Sequence, residues 1–280
     1  MGPDAHPARR GNAVLTRMYL PEFLNLRAGF EKYFTAHAAT TEALELAAYR
    51  IRHEVYCEEL GYEAARDDGM ERDRYDARAL HCVLRSVRND EYVGCVRLVL
   101  ADPHDATANL PFETYCGASL DRRLADPDAL PRTTIAEVSR LAVVGRYRRR
   151  SGERNLPVAL TERDFGTPDR PRFPYLAVGL YLAMLAQARR HGIETLFMLT
   201  EQRLARQLTR LGVHLTPIGP AIEHRGWRFP SMMSVPEVID SLNFFVRPMF
   251  EVIAEEIETS YQPAKATPFE LTRASSGSPS

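Results

Sequence analysis

Hydrophobic positions recur along the chain in blocks of helical and of alternating period, and their order predicts one sheet with helices laid against it. Residues 30–38 predict a first strand. After Thr41, a residue suited to helix capping, Leu44, Ala47, Ala48, Ile51 and Val55 recur at helical spacing and predict a helix ending near Gly61. Residues 81–87 and 92–100 predict a hairpin, joined by Arg88-Asn89-Asp90-Glu91, whose Asn and Asp suit a tight turn. A short helix is expected over 115–125. Residues 175–191 form an apolar helix that ends in Arg189, Arg190 and His191 and stops at Gly192. A strand over 195–200, a helix over 202–211 closed by Gly212 and a strand over 213–218 follow. Residues 219–233 read as turns and hold the only tryptophan, Trp227. The capping-box spacing Ser234-Val235-Pro236-Glu237 opens a last helix with Val238, Leu242, Phe245, Met249, Ile253 and Ile257 on one side, which Pro248 is expected to kink. This order predicts an α/β (α+β) fold, a twisted mixed sheet flanked by helices.

One stretch organises the rest: Glu137-Val138-Ser139-Arg140-Leu141-Ala142-Val143-Val144. Both alternating sets of its second half, Leu141/Val143 and Ala142/Val144, are apolar, as in a strand covered on both faces. Its first half brings Glu137, Ser139 and Arg140 to the same depth, where a charge left unpaired costs on the order of several kcal/mol. Two readings fit. Glu137 and Arg140 form an ion pair that fixes the strand, or Glu137 is a carboxylate poised for proton abstraction beside an arginine that holds a substrate group.

Composition changes this picture little. With 280 residues, 45% of them hydrophobic, the chain can bury a full core. The expected division is an arm over 1–28, a domain over 29–260 with a flexible insertion over 145–172, and a disordered tail over 261–280. The net charge of -1 gives no bulk attraction to nucleic acid. Among Arg146, Arg148, Arg149, Arg150 and Arg154 only Tyr147 interleaves, too little for base stacking. Cys57, Cys82, Cys95 and Cys116 show neither C-x-x-C nor zinc spacing and predict free thiols in a reducing compartment. No secretory apolar region follows Arg9-Arg10, and the longest apolar run, 174–186, falls short of the ~20 residues of a bilayer span. A cytoplasmic protein without an integral membrane segment is expected.

The acidic loop Glu71-x-Asp73-x-x-Asp76 has carboxylates at a spacing that suggests calcium or magnesium. A calcium loop also needs further oxygen ligands and a glycine at its sharp turn, whereas Arg74 interrupts this one. No metal is expected; a salt-bridge network with Arg52, Arg97 and Arg140 is. Arg52 and Tyr56 lie one turn apart on one helix face.

Together the spacings Arg52-x-x-x-Tyr56-x-x-x-x-x-Tyr62, Glu71-x-Asp73-x-x-Asp76, Gly94-x-x-Arg97-Leu98 and Glu137-x-Ser139-Arg140 resemble the acyl-homoserine-lactone synthase pattern, a branch of the GNAT acyltransferase superfamily. Within it the chain resembles the PEP-CTERM/exosortase system-associated acyltransferases. That likeness is carried by Tyr49-Arg50-Ile51-Arg52 with Val55-Tyr56-Cys57-Glu58, Glu71-x-Asp73-x-Tyr75-Asp76, His81, Val93-Gly94-Cys95-Val96-Arg97-Leu98, Leu110-Pro111, Ser139-Arg140-Leu141-Ala142-Val143 and Ile218-Gly219-Pro220.

The resemblance implies a GNAT-like fold and an N-acyltransferase that moves a fatty acyl group from an acyl carrier protein thioester to the amine of a small acceptor such as an amino acid. It implies Glu137 as catalytic base and Ser139 at the acyl carbonyl. Arg52, Tyr56, Tyr62, Glu71, Asp73, Asp76, Arg97 and Arg140 would line the substrate cleft. No cofactor is implied as permanently bound; acyl carrier protein, or acyl-coenzyme A, enters as co-substrate. The GNAT phosphate loop appears as Arg149-Arg150-Ser151-Gly152-Glu153-Arg154, with arginine where a small residue lets the backbone cradle a pyrophosphate. That departure favours acyl carrier protein, with Arg146, Arg148, Arg149 and Arg150 to meet its phosphodiester and acidic surface. An autoinducer synthase using S-adenosylmethionine, whose relatives carry Phe and Trp where this chain has Tyr56 and Tyr62, is the alternative, and a non-catalytic acyl-thioester-binding module a third. The sequence does not give the oligomeric state.

Overall fold

The computed structural model describes residues 25–105, 107–148, 166–167, 170–171 and 174–263. Most of the expected arm, the insertion over 149–165 and the tail from 264 lie outside the described residues.

The chain opens with α1 (Leu26–Tyr33), β1 (Phe34–Ala38) and α2 (Glu42–Arg52). Residues 30–33, expected as strand, close α1 instead, where Leu26 and Phe30 share the buried face. Thr41 caps α2 as expected, its side chain accepting the Leu44 N–H. At His53 the helix widens into a π-helical turn, His53–Glu59. The hairpin β2 (Ala79–Ser86) and β3 (Glu91–Leu100) follows, then α3 (Pro111–Cys116) and β4 (Ile135–Val143). α3 lies upstream of the helix expected over 115–125, because Pro111 at its N-terminus and Glu113, whose side chain accepts the Leu110 N–H, fix its start.

The second half runs α4 (Tyr175–Arg190), β5 (Thr195–Thr200), α5 (Gln202–Arg210), β6 (Thr216–Pro217), β7 (Ile222–Glu223), β8 (Trp227–Ser234), α6 (Val235–Ser241) and α7 (Arg247–Ser260). Three expectations are corrected here. The strand over 213–218 shrinks to β6. The stretch 219–233 holds a full strand, β8, held antiparallel to β5. The last helix is two helices, since the chain leaves helical geometry at Leu242 and Pro248 starts the next helix instead of kinking one.

Eight strands form one mixed sheet in the order β1-β2-β3-β4-β5-β8-β6, with β7 paired to β8, and Gly166–Thr167 pairs with Arg170–Pro171 apart from it. Neighbours are antiparallel except β4 and β5, which run parallel. α4 and α7 cover one face. α4 is apolar all round and buried from Ala177 to Ala188, and Gly179 lets Phe30 and Leu84 approach its backbone. α2 covers the other face, with Ala48, Ile51, Val55 and Tyr56 against Val83, Val93 and Ala142. The free edge of β1 is closed by α7, as the Ala36 N–H donates to Glu256 (2.8 Å) and the Ala38 N–H to Ser260 (3.1 Å). Among the described residues no helix is long and apolar enough to cross a membrane.

Gly212, which ends α5, sits at φ +92, and a Cβ there would run into the Ser241 carbonyl oxygen. Gly212→Ala is therefore expected to cost about 2 kcal/mol or more, from the left-handed backbone and the backbone clash together. A thermal melt checks this; a melting temperature unchanged from wild type would contradict it.

Candidate active site

β4 does two things that open a site. It pairs with β5 only from Ile135↔Thr195 to Glu137↔Phe197; past that point the strands part. On its other edge the register with β3 slips, because two β4 residues, Arg140 and Leu141, stand opposite Val96 alone. This is a β-bulge, and in it Arg140 takes φ +50, a conformation that costs a non-glycine residue about 1–3 kcal/mol. The Leu141 carbonyl at the bulge accepts the Tyr56 hydroxyl (3.0 Å), so the helix under the strand fixes it. Beside the parting strands lies an open cleft of ≈ 670 Å³, solvent at its mouth included, lined by Glu137, Ser139, Arg140, Arg97, Asp73 and four tyrosines among others.

The acidic loop and the arginines form one network beneath it. Arg52 is fully buried and donates from Nε to Glu71 (2.5 Å) and from both terminal nitrogens to Asp76 (2.6 and 3.0 Å). Arg97 donates to Asp73 (2.7 Å) and Asp76 (2.9 Å), and from Nε to the Ser139 hydroxyl (3.0 Å). Arg140 reaches Glu63 (2.9 Å), Glu71 (3.1 Å) and Asp73 (3.2 Å). Burial pushes the Glu71 carboxyl up, but Arg52 and Arg140 outweigh it and hold it at about 2. Asp76 is likewise held below its ordinary range, burial being overcome by Arg52 and Arg97. His81 packs edge-on to Tyr49 beside this network and is pushed down to about 3, first by burial and then by Arg52.

Glu137 stands outside the network. Its side chain is 3% exposed, and Oε2 accepts the Phe112 N–H (2.6 Å) at the first turn of α3. Arg140, which the sequence offered as its ion-pair partner, is engaged by Glu63, Glu71 and Asp73 instead. Burial without a cation partner raises the Glu137 carboxyl to about 8, against the pull of the Phe112 N–H and the more distant Arg97 and Arg140. A carboxyl at that position in the pH scale can accept a proton from an amine and release it again near neutrality.

The sequence-predicted residues Glu137, Ser139, Arg140, Arg97, Asp73, Tyr56 and Tyr62 all line the cleft, with Arg52, Glu71 and Asp76 behind them. Arg146 lies away from the cleft lining, paired with Glu54 (2.8 Å) and Glu91 (3.3 Å), and Arg148 pairs with Glu59. Arg149 and Arg150 lie outside the described residues. Sequence reasoning missed Tyr75, Tyr115, Leu199, His224, Arg225 and Arg228, which also line it. The last three sit in and beside the β7–β8 turn, and the signal for that turn was Arg225-Gly226 between Ile222 and Phe229. Among the described residues no cluster of three or more His, Cys, Asp or Glu side chains is arranged to hold a metal ion.

Residues 51–157, which carry the arginine network, the bulged strand and Glu137, match the family model of the acetyltransferase (GNAT) domain. The chain has a GNAT-like fold. Its fold is similar to that of BjaI in complex with MTA, a CoA-dependent acyl-homoserine lactone synthase (18% identity, 86% of this chain and 99% of that one, TM-score 0.52). It is also similar to MesI, another CoA-dependent acyl-homoserine lactone synthase (23% identity, 76% and 94%, TM-score 0.50). FeeM, an N-acyl amino acid synthase from uncultured soil microbes, matches at 15% identity over 75% and 94%, with TM-score 0.47. No curated protein sequence matches the chain.

Proposed function

We propose that this chain is an N-acyltransferase that moves a fatty acyl group from an acyl carrier protein thioester to the amine of a small acceptor such as an amino acid. One observation carries the reading: Glu137 is a buried carboxyl at the floor of the cleft, beside the strand opening, with no ion-pair partner among the described residues. An acceptor amine arrives as an ammonium ion and is no nucleophile until it loses a proton. Glu137, with Oε2 held by Phe112, takes that proton directly or through a water. The amine nitrogen then bonds to the thioester carbon, the carbon–sulfur bond breaks as the tetrahedral intermediate collapses, and the leaving thiolate takes up the second proton that the nitrogen sheds. Past Glu137 the β4 edge that faces β5 has left its ladder, and its backbone is the proposed source of N–H donors for the oxyanion. The Ser139 hydroxyl, held by Arg97, lies beside it.

The acyl carrier protein is proposed as donor because Arg146 and Arg148 open an arginine-rich stretch suited to a phosphodiester on an acidic surface. Acyl-coenzyme A is the other donor, and the names of BjaI and MesI favour a second reading, an acyl-homoserine-lactone synthase that uses S-adenosylmethionine. The likeness to PEP-CTERM/exosortase-associated acyltransferases rests on the motifs quoted above. The test is thiol release from long-chain acyl carrier protein and from acyl-coenzyme A, each with an amino-acid pool or with S-adenosylmethionine, followed by mass spectrometry of the products. Release from acyl carrier protein with amino acids is the expected result. Release with S-adenosylmethionine supports the second reading, and no release from either donor removes both.

A further inference from the structure

The β7–β8 turn straps the mouth of the cleft. Arg225 sits at φ +54, followed by Gly226 at φ +99, and its guanidinium crosses to the loop after the π-helical turn. There it donates to Glu63 (2.5 Å) and lies over the Tyr62 ring (5.3 Å). On the other side the His224 ring packs against Tyr115 at 4.2 Å, and the His224 carbonyl accepts from Arg228 (2.9 Å). A non-glycine residue in the left-handed region persists where its surroundings over-determine it, and such residues concentrate at ligand clamps.

Three guanidiniums meet at this mouth, those of Arg140, Arg225 and Arg228. Glu63 Oε1 receives both Arg140 and Arg225, so one carboxylate oxygen serves two guanidiniums. Arg228 has Glu201 as its carboxylate partner, at 3.2 Å. His224 faces all three cations and is pushed down to about 4, first by burial and then by Arg225, Arg228 and Arg140.

The aromatic faces are taken as well. A ligand cation such as a sulfonium is held by open aromatic faces. Here Arg140 lies over Tyr56 (5.4 Å), Arg225 over Tyr62, Arg74 over Tyr75 (4.9 Å), and His224 against Tyr115. Each of the four cleft tyrosines thus already meets a cation or an imidazole of the protein.

We propose that Arg225 and Arg228 determine acceptor specificity, selecting an amine that also carries a carboxylate and, among such amines, disfavouring one that carries a sulfonium as well. This rests on the acyl-transfer reading above and names the acceptor class of the same cleft. The carboxylate of the acceptor lies towards the strap, its amine towards Glu137, and the guanidiniums supply paired N–H donors of the geometry a carboxylate accepts.

The test compares ratios within one protein preparation, so that partial misfolding of a variant cancels. The full chain is given a dodecanoyl thioester donor with amino acids, with the same amines lacking the carboxylate, and with S-adenosylmethionine. Wild type is expected to favour the amino acid over its decarboxylated counterpart at least about 10-fold, and Arg228→Gln and Arg225→Gln to bring that ratio within about 3-fold. A ratio unchanged in both variants overturns the proposal, as does a wild-type preference for S-adenosylmethionine. A second arm measures equilibrium binding of N-dodecanoyl amino acids against N-dodecanoyl amines. The same loss of preference is expected there, and equal binding of the two by wild type overturns the inference. This arm needs no turnover, so a failure of the acyl-transfer reading shows in the first arm alone.

Discussion

Glu137→Gln is expected to lower kcat/KM for acyl transfer by about 10²–10⁴-fold, the range that a positioned general base supplies, while leaving binding of the acyl donor in place. The substitution keeps the side chain's volume and its acceptor for the Phe112 N–H, so the loss reports proton transfer more than packing. The pH profile adds a second readout. Glu137 titrates at about 8 and must be ionised to act, so wild-type kcat/KM should rise with pH through that value, and the residual rate of the variant should lack this step. Stability should move the opposite way. A carboxyl whose folded pKa is raised contributes stability that is fully present below its unfolded value of about 4.5 and is lost as pH rises through about 8. Glu137→Gln removes that titration, so the variant should gain melting temperature relative to wild type as pH rises from about 4.5 to about 8. Unchanged turnover in the variant would remove the mechanism; a rate profile without an inflection near 8 would show that the proton leaves by another route.

Much of this site was legible because chemistry and period coincide in the sequence. The apolar second half of β4 announced a strand covered on both faces, and such a strand leaves Glu137, Ser139 and Arg140 few places to go except a cleft or a partner. Which of the two was decided by packing the sequence does not display. The bulge at Arg140 depends on a register slip against β3, a contact some 45 residues distant along the chain. α1 was read as strand because Phe30 and Tyr33 are at home in either element, and what fixes the helix is Phe30 seated against Gly179 of a segment far away. The strap was missed for a different reason. β8 contains Pro230 and few β-branched residues, so propensity argued against a strand, whereas its ladder with β5 holds it extended across six paired positions.

Arg52→Met is expected to cost about 3–5 kcal/mol, because removing one partner of a buried network leaves the other charges uncompensated. At roughly 2–4 °C per kcal/mol, the melting temperature should fall by about 6 °C or more. Arg52 makes three bonds to two carboxylates from one planar group, and no other described cation reaches both Glu71 and Asp76. Arg52→Lys should therefore recover only part of the loss, since an ammonium cannot span the bidentate Asp76 contact and Glu71 at once. The acid limb separates this account from simple cavity formation. Glu71 is held at about 2 and Asp76 is likewise lowered, so the stability they contribute is present above about pH 4.5 and is lost as pH falls through their folded-state pKa values. Without Arg52 both carboxyls relax upwards, and the variant's loss of stability between pH 4.5 and 2 should be shallower than that of wild type. An unchanged acid limb with a lowered melting temperature would assign the cost to the cavity, and an unchanged melting temperature would show the pair to be energetically neutral. The effect should also reach the cleft, because Asp76 holds Arg97 and Arg97 holds Ser139: the carboxylate that loses Arg52 is the one that aims the next arginine at the reacting strand.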